Sequence, residues 1–297
     1  MPTRTSAWPF WFAACLTYGL IILGGTVTGS QSGLGCGAHW PVCHGQLWPA
    51  ANMHSVIEWS HRALAAIVSV VVGVMAVWTF YRTRDSRLRY LAVVAVGLLL
   101  VQVALGAVIV LTGLPALVVA FHDATATLLL AVLMTQALVA TRLGRPLGRG
   151  GASQLLWTAA AAALVAVFLG SYLAHLNLSA SGFLNGIRVL GTDQGRLAVG
   201  PGWWHWMAAG LVLVLAAFSM RSYRTMPASA RRWVSLAWLA LGLQASLGLV
   251  LLATELDGLA LVAHEALGVA TVVFFVAAAV RASTDAATPS RIPRMGS

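Results

Sequence analysis

Ser55-Val56-Ile57-Glu58-Trp59-Ser60-His61-Arg62 sets a carboxylate, an imidazole and a guanidinium at the start of a long apolar run. Ionisable groups entering a membrane are costly and persist where they have partners or a task. The membrane follows from the rest of the chain: of 297 residues, 59% are apolar and only 9% charged, which excludes an ordinary soluble domain. Glu58 and His61 are three residues apart, so on a helix they share a face and can address one object.

Working outward, apolar runs long enough to span a bilayer occupy 8–28, 56–79, 88–112, 116–140, 154–176, 202–220, 231–253 and 258–280. The first resembles a signal peptide, but it is longer than a usual signal core and lacks a small-x-small cleavage site, so it reads as a retained span. All 18 basic residues are arginines, and the formal net charge is +10. Fifteen of them fall in alternate connections and the two tails: Arg4, Arg82 to Arg89, Arg142 to Arg149, Arg221 to Arg232, and Arg281, Arg291 and Arg294. The opposite loops carry Arg188 and Arg196, and Arg62 lies inside a span. This bias is a topology signal that predicts a multi-pass cell (plasma) membrane protein with both termini cytoplasmic. The basic charge attracts anionic membrane lipid and is not a nucleic-acid footprint.

The non-cytoplasmic connections alternate long and short: 29–55, then Gly113-Leu114-Pro115, then 177–202, then Glu255-Leu256-Asp257. That order suggests an internal repeat. Val101-Gln102-Val103-Ala104-Leu105-Gly106 resembles Leu243-Gln244-Ala245-Ser246-Leu247-Gly248, and His122-Asp123-Ala124 resembles His264-Glu265-Ala266, both at an offset of 142. His61 and His205 differ by 144. The predicted architecture is an all-α integral membrane protein, with eight transmembrane helices forming two pseudo-symmetric four-helix bundles, 1–145 and 146–297.

Each even-numbered span carries one histidine near its non-cytoplasmic end: His61, His122, His205 and His264. Paired within each half, they suit a porphyrin iron held between two imidazoles. Two imidazoles without nearby thiolates or carboxylates do not fill a zinc shell. The acids Asp123 and Glu265 follow their histidines by one position, point elsewhere, and read as charges favoured near helix N-termini.

Glu58 admits two readings. Ser55 to Glu58 fits a capping box, yet Gly202-Trp203-Trp204-His205 has no matching acid, an asymmetry expected if one site performs chemistry and the other carries electrons. Cys36 and Cys43 share a Gly-rich loop facing an oxidising compartment, where a disulfide could staple the loop or cycle redox. His39 and His44 leave a Cys/His metal site open. Cys15 reads as a small core residue.

Gly24-Gly25-Thr26-Val27-Thr28, the Gly33-Leu34-Gly35-Cys36 to Trp40-Pro41-Val42-Cys43-His44-Gly45 loop and Ile57-Glu58-Trp59-Ser60-His61-Arg62, together with the four histidines, resemble the heme A synthase family across all eight spans. The resemblance implies an oxidoreductase that converts heme O to heme A by successive hydroxylations of the C8 methyl to a formyl group, for terminal oxidase assembly. It implies that His61 and His122 flank substrate heme O, with Glu58 as catalytic carboxylate. His205 and His264 would ligate a heme b cofactor, and Cys36 and Cys43 match the family's loop pair. Arg62 would contact a heme propionate or snorkel to the headgroups. Implied partners are heme O synthase, oxidase assembly factors and quinol or another electron donor. A second cysteine pair carried by some relatives between the fifth and sixth spans is absent here. The alternatives are a non-catalytic di-heme cytochrome b and a heme transporter.

Overall fold

The computed structural model describes residues 6–141, 150–176, 199–253 and 258–286. The arginine-bearing segment 142–149, the loop 177–198 with Arg188 and Arg196, the turn 254–257, and Arg4, Arg291 and Arg294 lie outside the described residues. Within them the fold is helical: α1 Trp8–Gly29, α2 Met53–Arg82, α3 Ser86–Leu111, α4 Ala116–Ala140, α5 Gly151–His175, α6 Val199–Arg221, α7 Ala228–Ala253 and α8 Gly258–Ala286. All eight are long and apolar enough to cross a membrane.

Local chemistry sets the helix ends. Pro9 occupies the first turn of α1, where its missing N–H costs nothing. Asn52 caps α2 by accepting the Ser55 N–H at 2.9 Å, and Asp85 caps α3 by accepting the Arg87 N–H at 2.9 Å. The turn between α3 and α4 runs through Gly113 and Leu114 at φ 78° and 61°, and Leu114 N–H closes onto the Ile109 carbonyl at 2.8 Å.

The helices are apolar all round, because their outer sides meet lipid. Ile67, Val70, Val74 and Leu100 are exposed, and Cys15, expected in the core, lies exposed on α1. In lipid an apolar side chain gains little from facing inward, so hydrophobicity alone does not assign it a side. α1, α2, α3 and α4 close a ring in which each touches its neighbours, leaving α2 and α4 diagonal. In the second group α5 touches α6 and α8, and α8 touches α7. The groups meet where α4 and α1 pack on α5 and α8. Leu133, Leu138, Leu156, Val269 and Phe275 belong to one buried cluster that runs through both groups. A polar contact crosses the boundary at Tyr18 Oη, which donates to the Ala266 carbonyl at 3.0 Å, and within the second group Ser153 of α5 and Ser283 of α8 lie 2.5 Å apart.

Candidate functional site

The stretch that opens α2 serves two surfaces. Asn52, rather than Ser55, is the N-cap, so α2 begins earlier than a capping box at Ser55 requires and Glu58 is free of that role. Its Oε2 instead accepts the backbone N–H of Cys36 at 2.7 Å, while its Oε1 is paired with Arg62 Nη2. Arg62 Nη1 donates to the carbonyls of His39 at 2.6 Å and Val42 at 2.9 Å. Trp59 Nε1 donates to the Leu47 carbonyl at 2.8 Å. Glu58, Trp59 and Arg62 therefore hold the 29–52 loop on the helix, and His61, one turn after Glu58, lies against Gly24 of α1.

The loop is built to be held. Cys36 and Cys43 form a disulfide, S–S 2.07 Å, and the chain bends at Gly37 and Gly45, with φ 67° and 77°. Both sulfurs are used and His44 Nε2 bonds the Gly35 carbonyl at 2.9 Å, so a Cys/His metal site has no thiolate to offer. Ser55 Oγ also donates to the Gly35 carbonyl. A Cβ on Gly35 would lie 2.3 Å from the His54 carbonyl oxygen, so only glycine lets the loop press onto the helix start. Glu58 is 4% exposed and Arg62 13%, and the cysteines are buried.

Each of the four histidine rings lies against the helix that precedes it, at Gly24, Gly106, Gly170 and Gly248. In the second group the His205 and His264 rings lie 6.4 Å apart, centre to centre. That spacing is what two metal–nitrogen bonds of about 2.0–2.1 Å, plus the two half-rings, would give. His205 Nδ1 bonds the Ala166 carbonyl at 3.0 Å and His264 Nδ1 the Gln244 carbonyl at 2.9 Å. A carbonyl acceptor fixes the proton on Nδ1 and leaves Nε2 as the free lone pair, the tautomer that an axial ligand needs. Both rings line a cavity of about 400 Å³ whose wall includes Ala163, Val167, Val212 and Leu241. In the first group His61 and His122 are close enough to interact electrostatically. Their Nδ1 atoms are buried without a hydrogen-bond partner.

Among the described residues no cluster of three or more His, Cys, Asp or Glu could hold a bare metal ion. A porphyrin brings four nitrogens of its own and asks only for two axial imidazoles and an apolar slot, so these residues fit a heme.

Asp123 and Glu265 are not helix-terminal charges, since the first turns of α4 and α8 hold no acid. Asp123 accepts the Ser171 hydroxyl of α5, and Glu265 lies against Gly25 of α1. Ser171 in turn gives its carbonyl to His175 Nδ1 at 2.8 Å, and His175 Nε2 meets the Thr28 hydroxyl at 3.2 Å. Reading the sequence did not single out Ser171 or His175; their only signal is a polar pair inside an apolar span.

Residues 7–278 match the family model described as COX15-CtaA, cytochrome oxidase assembly protein. The chain belongs to the COX15-CtaA family. Among curated relatives, the heme A synthase of Shouchella clausii is 33% identical over 222 residues, 69% of this chain and 73% of the relative. That of Bacillus pumilus is 34% identical over 54% of this chain and 56% of the relative, and that of Bacillus licheniformis 41% identical over 35% and 34%. With the first relatives the matched region spans only about a third to a half of their length. For a COX15-CtaA protein, the eight spans make it a multi-pass membrane protein.

Proposed function

We propose that this protein is a heme A synthase, oxidising the C8 methyl of heme O to a formyl group by successive hydroxylations. The observation that carries the reading is Glu58, buried beside the His61 turn and held by Arg62 and the Cys36 amide. No acid stands in the corresponding place before His205. The name shared by the relatives supports it. The chain divides near residue 145 into an N-terminal half for substrate and a C-terminal half for a resident heme b.

His61 and His122 would hold the substrate heme, next to the α2 turn that carries Glu58. A heme iron supplies the oxidising chemistry that an unactivated methyl group requires. Glu58 is fixed at both oxygens, and its work would be positional and protonic, as the proton-handling carboxylate of this site. The disulfide loop closes over this acid and keeps bulk water from it. His205 and His264 would hold a heme b, which there would supply electron transfer, with quinol or another donor as source. Heme O synthase and oxidase assembly factors are the partners this role requires. The disulfide loop faces the oxidising side and both termini face the cytoplasm, a reading supported by the disulfide and the arginine distribution.

Co-expression with a heme O synthase, followed by chromatography of extracted hemes, tests the activity. Wild type yields heme A and Glu58→Ala accumulates heme O. A wild type that binds heme and forms no heme A under these conditions would leave the di-heme cytochrome reading in its place.

A further inference from the structure

Each of the four histidines rests on a glycine of the preceding helix. A Cβ built on Gly24, Gly106, Gly170 or Gly248 would lie 3.1, 3.5, 2.9 or 3.3 Å from Cε1 of His61, His122, His205 or His264 respectively. The carbonyl four residues before each glycine, one helical turn back, belongs to Leu20, Gln102, Ala166 or Gln244. In the C-terminal half that carbonyl binds Nδ1, at 3.0 and 2.9 Å. In the N-terminal half the Leu20 and Gln102 carbonyls are the backbone partners of the His61 and His122 imidazoles, in a looser geometry that leaves the Nδ1 atoms outside direct hydrogen-bond contact. The fold therefore contains four versions of one socket: a glycine against which the ring edge lies, and a carbonyl one turn away that can take the Nδ1 proton.

The sockets differ in a consistent direction. Taken in matching positions, the C-terminal ones are closer, 2.9 against 3.1 Å and 3.3 against 3.5 Å, and only they close the Nδ1 hydrogen bond tightly. We propose that Gly24, Gly106, Gly170 and Gly248 are positioning residues that set how firmly each heme is gripped, with sockets locked in the C-terminal half for a resident cofactor and left slack in the N-terminal half for exchanging substrate and product. This rests on the reading of the histidines as axial ligands. A tethered imidazole has its ring plane and tautomer fixed before the metal arrives. An untethered one can swing aside as a ligand leaves, which a site with turnover needs and a site with a permanent cofactor does not.

The test uses full-length protein purified with its heme, and three readouts: heme content by pyridine hemochrome, the low-spin electron paramagnetic resonance g-values that report ring orientation, and the rate of heme loss to excess apomyoglobin. Gly170→Ala puts a methyl 2.9 Å from the His205 ring, forcing it off its carbonyl. Its heme should leave about 10–100 times faster, the range typical for loss of a partner behind a metal-bound imidazole, with shifted g-values. Gly248→Ala should do the same more mildly and serves if Gly170→Ala fails to fold. Gly97→Ala and Gly242→Ala, with nothing within 4 Å of the added carbon, should leave all three readouts at wild-type values, since alanine is the better helix former. A heme-loss rate and g-values unchanged in both Gly170→Ala and Gly248→Ala would overturn the socket proposal while leaving the ligand assignment standing. Full heme content in His205→Ala would instead overturn the assignment itself.

Discussion

Replacing Arg62 with alanine should make the buried Cys36–Cys43 disulfide reducible about a hundredfold faster. The two sulfurs are inaccessible in the closed loop, with the cysteines 0% and 1% exposed, so a reductant reaches them only when the loop lifts from α2. Arg62 holds it down through the His39 and Val42 carbonyls, at 2.6 and 2.9 Å. A hydrogen bond from a charged donor is worth about 1.5–3 kcal/mol net. Taking the low end for both, because Arg62 retains 13% exposure, their loss costs about 3 kcal/mol. At about 1.4 kcal/mol per factor of ten, that is roughly a hundredfold rise in the open fraction. Removing the cation also leaves Glu58 buried without its counter-charge, which acts in the same direction. The assay is reduction by a phosphine in detergent, followed by maleimide labelling and gel shift, on a Cys15→Ser background so that the exposed free cysteine is silent. Glu58→Gln added to Arg62→Ala should return part of the protection, since the amide oxygen still accepts the Cys36 N–H and no charge is stranded. An Arg62→Ala rate within about threefold of wild type, against the hundredfold worked from the hydrogen bonds, would refute the idea that this guanidinium closes the loop.

Ser171→Ala removes the hydroxyl that Asp123 accepts across the boundary between α4 and α5 and should cost about 1.5–3 kcal/mol, read as a shifted denaturation midpoint in detergent; no shift would mean the contact is not maintained. Gly258→Ala sets a methyl 2.5 Å from the Gly29 carbonyl oxygen, a backbone clash that should cost about 1–3 kcal/mol in the same assay, and wild-type stability would show that the close approach of α1 and α8 is dispensable. The Arg87 guanidinium beside Asp85 holds its carboxyl below the usual carboxylate range. A depressed folded pKa gives stability that is present above the unfolded value near 3.8 and is lost as pH falls through the folded one. Asp85→Asn keeps the helix cap but should abolish this acid-side component, and superimposable thermal-stability profiles for the two proteins between pH 5 and 2 would count against it.

The span count was legible because membrane thickness imposes lengths, and the repeat offset reappears in the helices: His122 and His264, 142 apart, are each the seventh residue of their helix. The partners of polar groups were not legible. Asn52 rather than Ser55 caps α2 because the chain enters that helix from a loop whose path only the fold reveals. Arg62 turns to Glu58 and to loop carbonyls because a guanidinium four residues from a carboxylate finds it before it finds headgroups. Gly106 and Gly248 were visible as repeat markers, but what they face could not be read from spacing. Cys15 went to the lipid side because hydropathy has no direction in a bilayer.

Each helix group carries two histidines set against glycines of the preceding helices, and the groups differ in what surrounds them. Around His205 and His264 the ring nitrogens facing away from the cavity are satisfied by the backbone; around His61 and His122 they are not. Above His61 the helix start carries an acid and a base that bind a cross-linked loop. Such a carboxylate would be prohibitively costly at that depth alone. With Arg62 at i+4 the pair is neutral as a whole, Arg62 Nη1 and Glu58 Oε2 bond backbone groups of the loop, and burial becomes tolerable. Loop, arginine and acid are thus one unit: the disulfide keeps the carbonyls in place for Arg62, Arg62 balances Glu58, and Glu58 takes the amide of Cys36. A chain that needed only two electron-carrying hemes would have no physical reason to build that unit over one of them.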